Sequence, residues 1–164
     1  VGQGLIVYYA AKMRLEGKSL NEVEQWTRRS RLNLAHWFTV DDLMFLFRGG
    51  RVSRTAAFAG SLLNIKPVLH VDNDGLLIPV EKTRGRKKSI QALVKHMEET
   101  VTQPIENQLI GISHGDCIED VEYLKKLITE KFGVTKYLVN YVDPVIGAHS
   151  GPGTLALFFL ASHR

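Results

Sequence analysis

Leu155-Ala156-Leu157-Phe158-Phe159-Leu160 is an unbroken apolar run that has to be buried. Directly before it stands Val145-Ile146-Gly147-Ala148-His149-Ser150-Gly151-Pro152-Gly153-Thr154. Glycine opens backbone conformations closed to other residues and lets a neighbour approach closely. Proline fixes φ and removes a donor. The pattern predicts a stiff, side-chain-poor turn at the edge of a core, holding the His149 imidazole toward a small ligand group. A second glycine pair lies in Phe47-Arg48-Gly49-Gly50-Arg51-Val52-Ser53. Arg48 reads as an exposed cation at a helix end, where the macrodipole favours it. Arg51 either does the same or joins the free N–H groups of a helix capped by Ser53 to seat an anion.

Strand and helix patterns alternate along the chain. Leu5, Ile6, Tyr9, Ala10 and Met13 recur at helical spacing over 4–16, and Ser19 with Glu22 forms a capping box for a helix over 20–33. A short strand follows over 36–40. Thr39 with Asp42 reads as another capping box opening a helix over 41–48, and a further helix is expected over 54–63. Asn73-Asp74-Gly75 joins strands 66–71 and 76–82 as a hairpin, with Pro67 and Pro79 marking the pair as peripheral or bulged. Ile90, Leu93, Val94, Met97 and Val101 define the clearest helix, over 86–101. Strands over 108–113, 135–142 and 154–160 complete the pattern, with a helix to about residue 132 capped by Asp116. The expected fold class is α/β, a mixed sheet layered with helices.

The 164 residues suffice for one domain with a real core, or one plus part of another. The chain opens on Val1, and two helices precede any strand. Residues 1–35 are therefore expected to be helices left from an otherwise absent N-terminal domain, and 36–164 the α/β domain proper. A single cysteine, Cys117, excludes an internal disulfide and fits a reducing compartment. No apolar stretch reaches transmembrane length. A cytoplasmic protein without stable membrane insertion is the expectation.

The net charge of +4 is concentrated in one run, from Lys82 to Lys88. It reads as a solvated surface or as a docking patch for an anionic partner. Cations opening a strong helix oppose its dipole, and that favours a functional explanation for Arg84 and Arg86. Cys117 stands near a helix N-terminus, which lowers a thiol pKa, although capping by Asp116 is the plainer reading. There is no nucleophile elbow, no Walker-type phosphate loop and no metal signature. Neither a catalytic residue nor a metal site is assigned, and an enzyme is not expected.

Taken together, these blocks resemble the DegV family of bacterial fatty-acid-binding proteins. Gly2-Gln3-Gly4-Leu5 resembles the family's central glycine-rich helix start. Phe38, Asp42-Leu43, Leu46 and Gly49-Gly50-Arg51-Val52-Ser53 resemble its Asp-Leu…Leu…Gly-Gly-Arg-Ile-Ser block. Lys66-Pro67-Val68-Leu69, Gly75 and the Arg84 region follow in family order, and Gly147-Ala148-His149-Ser150-Gly151-Pro152-Gly153 resembles its Gly-x-His-x-Gly-Pro-Gly block. Four blocks in order are specific where each alone is not.

The resemblance implies a two-domain α/β protein holding a long-chain fatty acid such as palmitate, stearate or oleate, with no cofactor. It implies a carrier that presents the ligand to a separate fatty-acid kinase catalytic subunit for acyl-phosphate formation. By carry-over, Arg51 and His149 hold the carboxylate and Arg84 faces the kinase. The expected tail pocket is Phe58, Leu62, Ile112 and Phe158. The family's N-terminal domain, with its Thr-Ser-x-x-Ser segment, has no counterpart here and would be a partner of this chain. A sixteen-carbon tail, at ~0.8 kcal/mol per methylene, contributes roughly 11 kcal/mol before association costs. The tail thus supplies most of the affinity, and the head group orients it. Two other readings are a nucleic-acid-associated regulator using residues 82–88 and a phosphate-ester enzyme using Arg51 and His149.

Overall fold

A computed structural model describes residues 1–53, 64–102 and 104–164. Its framework is a six-stranded sheet of β1 (Leu34–Thr39), β2 (Ile65–Val71), β3 (Leu77–Arg84), β4 (Ile110–His114), β5 (Tyr137–Tyr141) and β6 (Leu155–Leu160), ordered β3-β2-β1-β6-β4-β5. Only β4 and β5 run parallel; every other neighbouring pair is antiparallel. The apolar run 155–160 is thus a central strand, paired with β1 on one side and β4 on the other. That position is why it carries no polar residue.

Strand alternation divides the sheet into two faces. Ala35, Trp37, Val68, Ile110, Ile112, Leu155, Leu157 and Phe159 point one way, into the main core. They meet α4 (Arg86–Thr100) through Ile90, Leu93, Val94 and Met97, and α5 (Ile118–Phe132) through Val121, Leu124 and Ile128. The α4 stripe is the one read from spacing. Phe38, Leu69, Ala156 and Phe158 point the other way, toward α3 (Leu43–Arg48). On this second face also lie α1 (Gly2–Leu15) and α6 (Pro144–Ser150), and here the sheet is incompletely covered.

The helix over α1 packs closely because the sheet beneath it is bare. A Cβ on Gly111 would come within 2.7 Å of Val1 and 2.9 Å of Leu5. Tyr9 accepts the Leu109 N–H at 2.9 Å. Helix α2 (Leu20–Ser30) begins at the expected capping box: Ser19 Oγ accepts from Glu22 N, and the Glu22 carboxylate accepts from Ser19 N at 2.8 Å. The β2–β3 hairpin turns at Asp72, whose carboxylate accepts from Asp74 N and Leu76 N, and Gly75 takes φ 83°. β3 is an edge strand and the register slips at Val68/Leu69, as its prolines suggested.

Three local expectations are corrected. Thr39 does not cap α3; it belongs to β1 and is fully buried, and Asp42 alone caps the helix by accepting from Met44 N at 2.8 Å. Asp116 does not cap α5: it takes φ 56°, Cys117 is the N-cap residue, and the helix start has no side-chain cap hydrogen bond. Residues 144–150 form a helix, where a turn was expected. Asp143 accepts from Val145 N and Ile146 N, and Pro144 stands at the first helical position, where its missing N–H costs nothing. The expected helix over 54–63 lies outside the described residues. Phe159 is fully buried against both neighbouring strands and α4; Phe159→Ala is expected to cost about 3–5 kcal/mol of unfolding free energy, measured by urea denaturation.

Candidate functional site

The site is built where α3 ends against α6 and the loop behind it. α3 closes with paired bonds from Gly50 N to Phe47 O and from Arg51 N to Leu46 O, at 2.9 and 2.8 Å, with Gly50 left-handed at φ 72°. This glycine-based ending reverses the chain and delivers Arg51. The Arg51 guanidinium donates to the Gly49 carbonyl. His149 sits in the last turn of α6, half-buried, and its imidazole lies on Gly49, where a Cβ would overlap Nδ1. Gly151 accepts the Phe45 ring in the same manner, with Cδ2 2.6 Å from the position of a Cβ. Gly153 accepts the Asp41 carboxylate, again where a Cβ would stand. The absence of side chains at 49, 151 and 153 is what lets the two segments close and brings His149 beside Arg51.

Beneath them opens a cavity of about 350 Å³, within the range of small-molecule sites. Its walls are mostly apolar: Phe38, Leu46, Val71, Leu77, Val142, Val145, Ile146, Ala156 and Phe158. A second hollow of about 540 Å³ toward the start of α1 shares His36, Ser113, Val142, Ile146 and Phe158 with it. Among the described residues, the lining of the first holds one guanidinium, Arg51, two imidazoles, His36 and His149, and no carboxylate. Two other polar groups are occupied: Ser150 Oγ donates to Ile146 O at 2.8 Å, and Thr154 Oγ1 donates to Gly151 O at 2.7 Å. An apolar cleft lined, among the described residues, by a guanidinium and two imidazoles and by no acid suits an amphiphile with an anionic head.

His36 lies on the cavity side of β1, edge-on to Phe158 with ring centroids 5.1 Å apart. Burial, with Arg164 adding, lowers its pKa to about 4, so the ring is neutral at physiological pH. The sequence reading missed His36 and Ser113. Their signal is parity: His36 pairs with Phe158 and Ser113 with Ala156, so each faces the cleft once those partners do.

Of the residues singled out beforehand, Arg51, His149 and Phe158 line one cavity. Ile112 does not: strand alternation turns it to the opposite face, into the core under α4 and α5. Phe58 and Leu62 lie outside the described residues. Arg84 is exposed at the end of β3, in a shallow surface groove with Lys82, Lys88 and Lys95 that is separate from the cavity. Arg86 turns inward, bonding Asp120 at 2.8 Å and the Gly153 carbonyl at 2.6 Å, which explains a cation at the start of α4 without any ligand. Cys117 is half-buried, and burial raises its pKa although Arg86 opposes the rise, so the thiolate expectation fails.

The fold is that of a mixed-sheet α/β domain with an apolar cleft on one face, and comparisons fix the family. The DegV family profile, whose members are described as uncharacterised, matches residues 1–162. A DegV domain-containing protein of Clostridium perfringens is 50% identical over 164 residues, covering 100% of this chain and 56% of its own length. A Thermus thermophilus DegV family protein, solved and described for fatty acid binding, is 30% identical with a TM-score of 0.83, over 98% of this chain and 57% of its own. The Streptococcus pneumoniae fatty acid kinase B3 protein loaded with linoleic acid shares the fold, with a TM-score of 0.85 at 21% identity, over 95% of this chain and 54% of its own. The chain belongs to the DegV family, and it spans about half the length of the curated relatives it matches. No helix among the described residues is long and apolar enough to cross a membrane.

Gly49 has φ −76°, which suits alanine, so a Cβ there strains only the His149 contact. Gly49→Ala is expected to cost about 1–3 kcal/mol alone and to be near neutral in a His149→Ala background, as read by urea unfolding in a double-mutant cycle. A pH effect follows from His36. The unfolded imidazole binds a proton near its ordinary value of 6.5 and the folded one only near 4. Stability is therefore full above pH 6.5 and falls as pH drops toward 4, by an amount on the order of 3 kcal/mol. His36→Phe should flatten the decline between pH 7 and 5.

Proposed function

We propose that the full-length protein binds a long-chain fatty acid, with methylenes against Phe158 and the apolar cleft and the carboxylate between Arg51 and His149. The observation that carries this is the lining itself: a mostly apolar cavity whose ionisable side chains, among the described residues, are one guanidinium and two imidazoles, with no acid. A buried carboxylate requires paired donors, and these side chains are the donors available. Support comes from the Thermus thermophilus relative described for fatty acid binding and from DegV neighbours solved with heptadecanoic, vaccenic and linoleic acids.

The protein then acts as a non-catalytic carrier that offers the carboxylate to a separate kinase subunit, which forms the acyl phosphate. Exposed Arg84, with Lys82, Lys88 and Lys95 around it, faces that subunit. α1 and α2 present a face to a second, N-terminal domain, whose hydroxyl-bearing segment completes the head-group site. Apolar Val7, Tyr8, Leu15 and Leu20 on α1 and α2, and Tyr141, Val145 and Ile146 beside the cleft, are exposed and give that domain surface to cover. The nucleic-acid reading gains no support, because Arg86 is spent on internal bonds.

Native mass spectrometry of the full-length protein is expected to show a bound long-chain fatty acid. Arg51→Ala and His149→Ala are each expected to lower palmitate affinity about tenfold or more, the loss of a charge-assisted hydrogen bond. A lipid-free protein that takes up no palmitate or oleate would falsify the reading.

A further inference from the structure

We propose that Arg86 is the positioning residue of the head-group site, a single guanidinium that fixes both segments carrying Arg51 and His149. It is not among the residues that line the cavity. It stands at the first position of α4 with its side chain largely buried, 18% exposed. Nε donates to Asp120 Oδ2 on α5 at 2.8 Å. Nη2 donates to the Gly153 carbonyl at 2.6 Å and touches Cys117 Sγ at 3.7 Å. Nη1 lies 3.7 Å from Asp41 Oδ1, and Lys66 pairs with the same oxygen at 2.8 Å.

The two loops that Arg86 reaches are the ones that matter. Asp41 belongs to the link between β1 and α3, and α3 ends at Gly49 and delivers Arg51. Gly153 belongs to the link between α6 and β6, four residues after His149. The Asp41 carboxylate and the Gly153 α-carbon press together where a Cβ would be. Lys66 holds that carboxylate directly, and Arg86 bonds the backbone carbonyl beside it while Nη1 adds an ion-pair contact with the carboxylate at 3.7 Å, without a hydrogen bond. Asp120 fixes the guanidinium from the α5 side. Arginine is suited to this because its planar fork serves three directions at once, which a lysine ammonium cannot do over the same distances. The fold face behind the sheet is thereby tied to the cleft face in front, and the Arg51–His149 spacing depends on a residue that touches neither.

The proposal rests on the fatty-acid reading for its ligand, but its first test needs no ligand. In the full-length protein with ¹⁵N-labelled histidine, Arg86→Met is expected to shift or double the His149 ring signals while those of His36 stay in place. The second arm compares palmitate with hexadecanol, which has the tail and lacks the carboxylate. Arg86→Met is expected to reduce the palmitate-over-hexadecanol preference roughly tenfold with hexadecanol affinity unchanged. Arg86→Lys is expected to restore little of it. Should Arg86→Met fail to fold, Asp120→Asn releases the guanidinium at one end and is read by the same His149 signals. Unmoved His149 signals in a folded variant overturn the proposal. Failure of wild-type protein to bind palmitate overturns the fatty-acid reading instead, and the histidine spectra still decide the role of Arg86.

Discussion

Three bare α-carbons, at Gly49, Gly151 and Gly153, set the distance between the segment ending α3 and the segment following α6. Each receives a side chain from the other segment: His149, Phe45 and Asp41. These are packing contacts of backbone against side chain, and they have no slack, because protein interiors are close-packed. A methyl group at any of the three would push the segments apart. The cleft, its two donors and the ion-pair cluster behind them all follow from this one closure.

The cleft divides its work between two kinds of energy. Apolar walls on β1, β6 and α6 favour hydrocarbon through area removed from water. The donors add direction. Arg51 is exposed and bonds its own helix end, so solvent screens its attraction for an anion while the cleft is open. Covering the exposed apolar residues around the cleft lowers the local dielectric and strengthens that attraction. Burial of the tail and pairing of the head are coupled for this reason. His36 adds a neutral imidazole to the wall, so it contributes no positive charge to the site.

Much of this was legible in the chain. The α4 stripe, the capping box at Ser19, the Asp72–Leu76 turn and the central apolar strand all follow from period, turn chemistry and burial. Arg51 and His149 line one cavity, and what paired them beforehand was the resemblance to the family's two glycine-rich blocks. What failed were the steps that need a partner element. Ile112 and Phe158 are both apolar and both in strands, and only the register tells which face each takes. His36 was invisible for the same reason. The 144–150 helix was hidden because Gly147 and the following glycines read as a turn, while the Asp143-Pro144 start carried the decisive signal. Arg86 read as part of a basic run open to a ligand or partner, because its acids, Asp41 and Asp120, lie far away in sequence.

The account stands on where an anionic head group comes to rest. A crystal structure of the full-length protein with bound palmitate tests it most directly. The carboxylate is predicted within hydrogen-bonding distance of both the His149 imidazole and the Arg51 guanidinium, with the methylenes running over Phe158 and Ala156. A carboxylate lodged elsewhere, or a cleft filled by protein side chains with the lipid outside it, would contradict the account.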